Sequence, residues 1–193
     1  MSPRFGLASN QRQAPWVPQT ETLVAVIQRW APQVAGTAVA AGLTWVGDGK
    51  ALLGALAENE SAFDRGDAPR FEPSYYYGSK KYLSNQVLQG AVRAQGALAA
   101  CSWGPYQIMA YNAIRFGYPL TEPLYGLWHV EVSAPYVVQL VEEILTDQKP
   151  QTPEQFADSY NSGNYRDTIT PAVAKYRADF AAHFRDVVHR RGL

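Results

Sequence analysis

The sequence predicts a mainly α single domain with a cleft, and three observations carry that prediction. Apolar residues recur at three- and four-residue spacing through most of the chain, the period of a helix with one buried face. Start and stop signals punctuate these stretches, as in Thr152-Pro-Glu-Gln155 and Thr170-Pro171. Strand signals are weak, and the best prospect of a small hairpin is residues 69–82. The 193 residues are 47% hydrophobic and 18% charged, enough for a sizeable core and too apolar for wholesale disorder. No repeat, low-complexity tract or linker divides the chain, so residues 20–193 are assigned to one domain.

Residues 1–19 contain three prolines and little periodicity, and read as an N-terminal arm. Thr20 is positioned to cap a helix through Leu23, Val24, Ile27 and Trp30, with Pro32 ending or kinking it. A second helix is expected from Gln33 to about Trp45. After the turn at Val46-Gly-Asp-Gly49, Asp48 suits the N-cap of a third. The periodicity then stops, and Asp64-Arg-Gly-Asp-Ala-Pro69 reads as a surface loop. Arg70-Phe-Glu-Pro73 and the tyrosines at 75, 76 and 77 follow. That aromatic cluster suits either a cleft wall or an aromatic corner of the core. Ser84 is the expected cap of a helix to about Ala100, and Pro105 the first turn of another ending at Gly117-Tyr-Pro119. Leu124 to Val132 is ambiguous. Ser133 and Pro135 begin a strongly periodic helix through Val137, Val141 and Leu145. The capping box at Thr152 opens a short helix that ends at Asn161-Ser-Gly163, and Thr170-Pro171 opens the last. That helix carries Val173, Tyr176, Phe180 and Phe184 on one face and a basic end suited to the helix dipole.

Composition excludes several classes of chemistry. Basic and acidic residues balance at 17 each, so no global positive field favours nucleic acid. The one cysteine, Cys101, sits in an apolar run and reads as a buried thiol. His129, His183 and His189 are not spaced as a ligand set, so no metal is expected. No phosphate-cradling glycine loop or dinucleotide fingerprint appears, so no cofactor is expected. No turn suited to a serine or cysteine nucleophile stands near His129 or Cys101. The longest small-residue run, Val34 to Val46, is too short to span a bilayer. The N-terminus lacks the apolar core of a signal peptide, so cytoplasmic synthesis is expected, with any export carried out by another system. A monomer is expected.

What remains is carboxylate chemistry, and one helix concentrates it. On a helical wheel of Ala51 to Ser61, Leu52, Leu53, Leu56 and Ala57 share an arc with Glu60 in its middle. Glu58 falls on the far side and is expected to be solvated. A carboxyl pointing where the leucines point loses hydration, and its pKa rises. A general acid working near neutral pH needs that shift. The plain alternative is a helix end with ordinary acidic residues.

Three motifs in order sharpen the choice. Glu60-Ser61 ends the apolar helix, Ser102-Trp-Gly-Pro-Tyr-Gln-Ile-Met109 follows, and Ser159-Tyr-Asn-Ser-Gly163 comes later. The order resembles the lysozyme-like superfamily of soluble lytic transglycosylases and goose-type lysozymes. Within it, the stretches starting at Arg70-Phe-Glu and Ala100-Cys-Ser-Trp-Gly are most similar to the N-acetylmuramidase endolysins of phages and bacteria. The resemblance spans about residues 48–185. Cys101 interrupts the family's Ala-Ser, Pro105 replaces an aliphatic residue, and the histidine usual after Phe-Glu is missing.

The resemblance implies a lysozyme-like fold acting on peptidoglycan glycan strands without a cofactor. Glu60 would be the general acid. Ser61 and Gln107 would hydrogen-bond sugar or the acid's surroundings, with Tyr75 and Ser102 as further substrate contacts. Tyr160 would bond near Glu60, and Asn161 would hold its turn. Glu72 would contact substrate or activate water as a second catalytic carboxylate. Two alternatives stand beside the hydrolase: a lytic transglycosylase, which needs only one acid, and a catalytically silent peptidoglycan-binding module. An unrelated helical interaction protein would make the motifs coincidence.

Overall fold

The first helix, α1 (Leu23–Ala40), starts where the Thr22 hydroxyl accepts the Ala25 N–H at 3.3 Å. The computed structural model describes residues 22–63, 65, 68–77, 85–163 and 170–193. The expected arm at 1–19, the caps at Thr20 and Ser84, most of the Arg-Gly-Asp triplet and residues 78–82 lie outside these. Pro32 neither ends nor divides the first helix, and the two helices expected here are one. Val34 and Ala38 continue the buried stripe of Leu23, Ile27 and Ala31 across the proline. Burying that stripe offsets a helix cost of about 3 kcal/mol.

Helix α2 (Lys50–Ser61) carries the carboxylates. Its N-cap is Gly49, while Asp48, the expected cap, accepts the Lys50 N–H at 3.0 Å. Gly49 adopts φ 80°, and a Cβ there would lie 2.3 Å from the Ala31 carbonyl oxygen. A left-handed turn pressed onto α1 therefore requires glycine.

Strand β1 (Arg70–Phe71) and the short helix α3 (Pro73–Tyr76) come next, then α4 (Gln86–Gln95), capped by Asn85 and continued as a 3₁₀ turn to Ala100. Strands β2 (Cys101–Trp103) and β3 (Ile108–Met109) form the hairpin, and β1 pairs antiparallel with β2. Among the described residues the hairpin lies at 101–109, and 69–77 supply the edge strand β1 and the short helix α3; the rest of the expected 69–82 hairpin lies outside the described residues. Pro105 sits in the hairpin turn and starts no helix. Gly104 (φ 69°) and Gln107 (φ 46°) both leave the helical region, which breaks the expected periodicity. Helix α5 (Ala110–Arg115) follows directly.

Helix α6 (Val130–Glu143) starts before Ser133, with His129 at its N-cap, and runs on as a π turn to Gln148. Leu124–Trp128, ambiguous in sequence, is a 3₁₀ turn. Helices α7 (Pro153–Ser162) and α8 (Pro171–Arg191) have the expected caps, Thr152 and Thr170. The protein is mainly helical, with the core built around Ile27, Leu52, Leu56, Leu127, Val137, Phe156 and Phe180. Cys101 is buried, as expected.

The closest-packed pair is α2 with α8. A Cβ at Gly54 of α2 would lie 3.2 Å from Val187 Cγ1, so the helices approach without a side chain between them. This packing overturns the expectation of a solvated Glu58, whose side chain is 8% exposed. The basic end of α8 folds over it: Arg191 donates to both carboxylate oxygens at 2.7–3.0 Å, and Arg190 donates at 3.2 Å. The Arg191 guanidinium also lies over the Phe63 ring at 4.7 Å. A wheel drawn on α2 alone finds the side opposite the leucines, but not the neighbour that covers it.

Gly49→Ala is expected to destabilise the protein by about 3 kcal/mol, combining a forbidden φ with a backbone clash. Urea unfolding measures it, and an unchanged midpoint would refute the close approach. Glu58→Gln is expected to cost about 1–2 kcal/mol, because the arginines it leaves behind remain partly hydrated. A melting temperature equal to the parent's would refute that clamp.

Candidate active site

Glu60 is the penultimate residue of α2, and its carboxyl turns inward rather than to solvent. Burial pushes its pKa up to about 7. A hydrogen bond donated by the Tyr176 hydroxyl and the positive charge of Arg70 pull the other way, and the charge of Glu72 adds to the rise. Desolvation dominates because the helix end is enclosed between α7 and α8. Tyr160 is not the tyrosine bonded to this carboxyl. Its hydroxyl donates to the Tyr106 carbonyl at 2.8 Å, because α7 directs it across the hairpin turn. Tyr160 still borders the acid, and burial together with the Glu60 charge drives its pKa well up.

A cavity of about 130 Å³ gathers most of the residues singled out in the sequence. Glu60, Glu72, Tyr75, Ser102, Gln107, Tyr160 and Asn161 all line it, brought from α2, the β1–α3 junction, the hairpin and α7. Ser61 does not. It is 3% exposed, and its hydroxyl donates to the Ala57 carbonyl at 3.0 Å, back into its own helix. One residue after Glu60 the wheel has turned by about 100°, away from the cavity. Arg70 and Met109 complete the lining.

Glu72 is set at the cavity edge by the small sheet. Its N–H donates to the Ala100 carbonyl at 2.9 Å, and its carboxylate takes the Arg70 Nε–H at 2.6 Å. Behind it, Ser102 donates to Gln107 Oε1 at 2.8 Å, and Gln107 Nε2 donates to the carbonyls of Gly104 and Ala68. Gln107 therefore ties the hairpin turn to the segment entering β1, which fixes where Glu72 sits. Gly104 allows the tight turn, since a Cβ there would lie 2.8 Å from the Leu127 carbonyl oxygen. Under Asn161, Asp158 and Arg177 form a buried ion pair at 2.7 Å that locks α7 to α8.

The tyrosine cluster divides. Tyr75 forms cavity wall and packs on Tyr111, with ring centroids 5.5 Å apart. Tyr76 and Tyr77 are exposed and pack edge-on with Phe71, so they form no corner of the core. Among the described residues, no three His, Cys, Asp or Glu side chains cluster to hold a metal ion. No described helix is long and apolar enough to cross a membrane.

Sequence reasoning missed the roles of Tyr176 and Arg70. The available signal for Tyr176 was a hydroxyl on the apolar face of the last helix, which needs a partner once buried. Nothing in the sequence paired it with Glu60, 116 residues away.

A helical protein whose cleft holds a carboxyl pushed up to about 7 by burial keeps a proton available close to neutrality, which equips it to donate that proton to a polar substrate. The particular family follows from the match of residues 50–176, more than half of the chain, to the Muramidase family model, described as N-acetylmuramidase. The chain belongs to the N-acetylmuramidase family, whose members degrade peptidoglycan. Searches among curated proteins and among solved structures found no match.

The raised pKa fixes the sign of a pH effect. Between its ordinary value of 4.5 and about 7, folded Glu60 holds a proton that the unfolded chain has released. Stability therefore falls as pH rises through that window. Glu60→Gln, which does not titrate, should gain on the parent by up to about 3 kcal/mol between pH 4.5 and 8, with little change below 4.5. Tyr176→Phe should move the Glu60 titration, followed by carbon-13 NMR, further upward. A downward move would show that the tyrosine does not stabilise the ionised carboxylate.

Proposed function

We propose that the protein is a muramidase that cleaves the β-1,4 bond between N-acetylmuramic acid and N-acetylglucosamine by general acid catalysis. The observation that carries this reading is the Glu60 carboxyl, pushed up to about 7 by burial at the wall of a cavity that also holds Glu72. A neutral carboxylic acid donates its proton to the glycosidic oxygen as the bond to the anomeric carbon breaks. The oxocarbenium-like transition state then needs a negative partner or a nucleophile. Glu72, across the same cavity, is the carboxylate assigned to that work, either stabilising the cation or activating water. Tyr75 supplies a ring for the sugar to stack on, and Asn161 an amide facing the same space. Ser102 and Gln107 hold the frame. Peptidoglycan strands are the substrate, and the site of action is the cell wall.

One observation favours the lytic transglycosylase as a second reading. Glu72 is engaged by Arg70 at 2.6 Å, so one of its oxygens is already occupied by a guanidinium rather than facing a water. A transglycosylase needs only Glu60, because the muramic C6 hydroxyl closes on the anomeric carbon in place of water.

Glu60→Gln is expected to remove nearly all lysis of purified peptidoglycan, since general acid catalysis is typically worth about 10²–10⁴-fold. Retained folding, checked by circular dichroism, would assign the loss to chemistry. Mass spectrometry of the digest separates the readings: reducing ends for hydrolysis, 1,6-anhydro ends for transglycosylation. Glu72→Gln should cost as much as Glu60→Gln if two carboxylates act, and little if one does. Lysis by Glu60→Gln at the parental rate would refute the acid assignment, and no products from the parent protein would favour the silent binding module.

A further inference from the structure

Between the clamped Glu58 and the acid Glu60, α2 carries Asn59, a side chain with no part in the chemistry so far. Its amide nitrogen Nδ2 is buried and has no hydrogen-bond partner among the described residues. A buried donor left unpaired is unfavourable, so its retention at the acid calls for a reason. The amide faces the hydroxyl of Tyr176 on α8, and that hydroxyl donates to Glu60 Oε1. Amide nitrogen, phenol oxygen and carboxyl therefore follow one another across the α2–α8 contact.

The sequence of groups has a direction. The Tyr176 hydrogen is committed to Glu60, so its oxygen can accept, and an amide N–H can only donate. While Glu60 keeps its proton, the phenol meets a neutral carboxyl, and Asn59 Nδ2 faces the phenol oxygen without closing a bond. Once that proton has gone to the glycosidic oxygen, Glu60 is a buried anion. The phenol hydrogen is drawn towards it, the phenol oxygen gains negative charge, and a donor behind that oxygen strengthens the chain. Burial and then the charge of Glu60 push the Tyr176 hydroxyl well above its ordinary range, while the Asn59 amide pulls it back.

The other groups around the acid do not fill this role. Tyr160 of α7 donates its hydrogen to the Tyr106 carbonyl. Arg70 favours the anion through space, but its Nε–H is bonded to Glu72. Glu72 carries negative charge and opposes a second anion.

We propose that Asn59 is a positioning residue acting through Tyr176, a donor held in reserve that closes onto the phenol oxygen as Glu60 gives up its proton. No proton travels along the chain: the Glu60 proton goes to the leaving oxygen, and the Tyr176 and Asn59 hydrogens stay on their own atoms. A donor satisfied only as charge develops lowers the barrier without tightening binding of the resting substrate. The inference rests on Glu60 as the general acid, and it adds a device that governs how readily that acid releases its proton.

Asn59→Leu removes the donor at nearly constant shape. At about pH 5, below the Glu60 value of about 7, its melting temperature should equal or exceed the parent's, since an idle buried donor gives way to an apolar group. The Glu60 titration, followed by carbon-13 NMR, should move upward, because the ionised form has lost a donor. Turnover of soluble glycan fragments should fall about tenfold in kcat with KM unchanged, and the alkaline limb of the pH–rate profile should move upward with the NMR midpoint. Damaged packing would do the opposite, admitting water and moving the midpoint down. Asn59→Ala gives the same comparison without added bulk. In a Tyr176→Phe background, Asn59→Leu should change neither midpoint nor kcat, because no phenol is left to act through. An unchanged or lowered midpoint in both Asn59 variants overturns the proposal, and so does an upward move that persists without the Tyr176 hydroxyl. The titration needs no substrate, so a parent protein that releases no cleaved ends refutes the muramidase reading while the midpoints still decide the role of Asn59.

Discussion

The packing of α2 against α8 is the constraint on which the rest of the structure depends. It encloses the end of α2, where two carboxyls two residues apart, on opposite sides of the helix, receive opposite treatment. Glu58 is surrounded by the guanidinium groups of Arg190 and Arg191. Glu60 faces a tyrosine hydroxyl and little water. The same two helices therefore hold one carboxylate in an arginine clamp and leave the other inclined to keep its proton. The clamp fixes the rotation of α2, and that rotation directs Glu60 at the cavity. Without such an anchor, a helix end carrying a desolvated acid would relax by turning that acid outward to water.

The remaining elements set the opposite wall. A sheet of two- and three-residue strands has too little surface to be stable by itself. The Gln107 amide and the Ser102 hydroxyl connect its turn to the chain entering β1, so that Glu72 emerges at a fixed height above the acid. The buried Asp158–Arg177 pair does the corresponding work for α7, which brings Tyr160 and Asn161 to the site. Such pairs cost desolvation when buried, and their return here is a defined geometry rather than stability. Reactive and supporting groups are thus separate: Glu60 and Glu72 face the cavity, while most polar atoms of Gln107, Tyr160 and Asp158 are directed into the protein.

Much of the site is legible in the amino-acid sequence. Glu60 stood out because helix periodicity is a local property, and its place among Leu52, Leu53 and Leu56 requires only the pitch of a helix. The later motifs could be placed in order, and six of the other residues named with Glu60 do meet it at one cavity. The family resemblance implies a site role for Ser61, yet adjacent residues on a helix point about 100° apart, and Ser61 turns away from the cavity. Residues 105–109 of the hairpin read as the start of a helix because Tyr106, Ile108 and Met109 suit either, and two positive φ angles at Gly104 and Gln107 decide between them.

The sequence by itself determined the helical class, the caps at Thr152 and Thr170, and the inward direction of Glu60. Each depends on the pitch of a helix or on hydrogen bonds within a few residues. Only the tertiary structure decided that Tyr176 rather than Tyr160 bonds the acid, that Glu58 is clamped rather than solvated, and that Pro32 lies inside a continuous helix. All three depend on which surfaces are pressed together across more than a hundred residues of chain, or on how much burial offsets a local cost. Local periodicity carries no record of either, because desolvation and long-range hydrogen bonds exist only once the partner helix is in place.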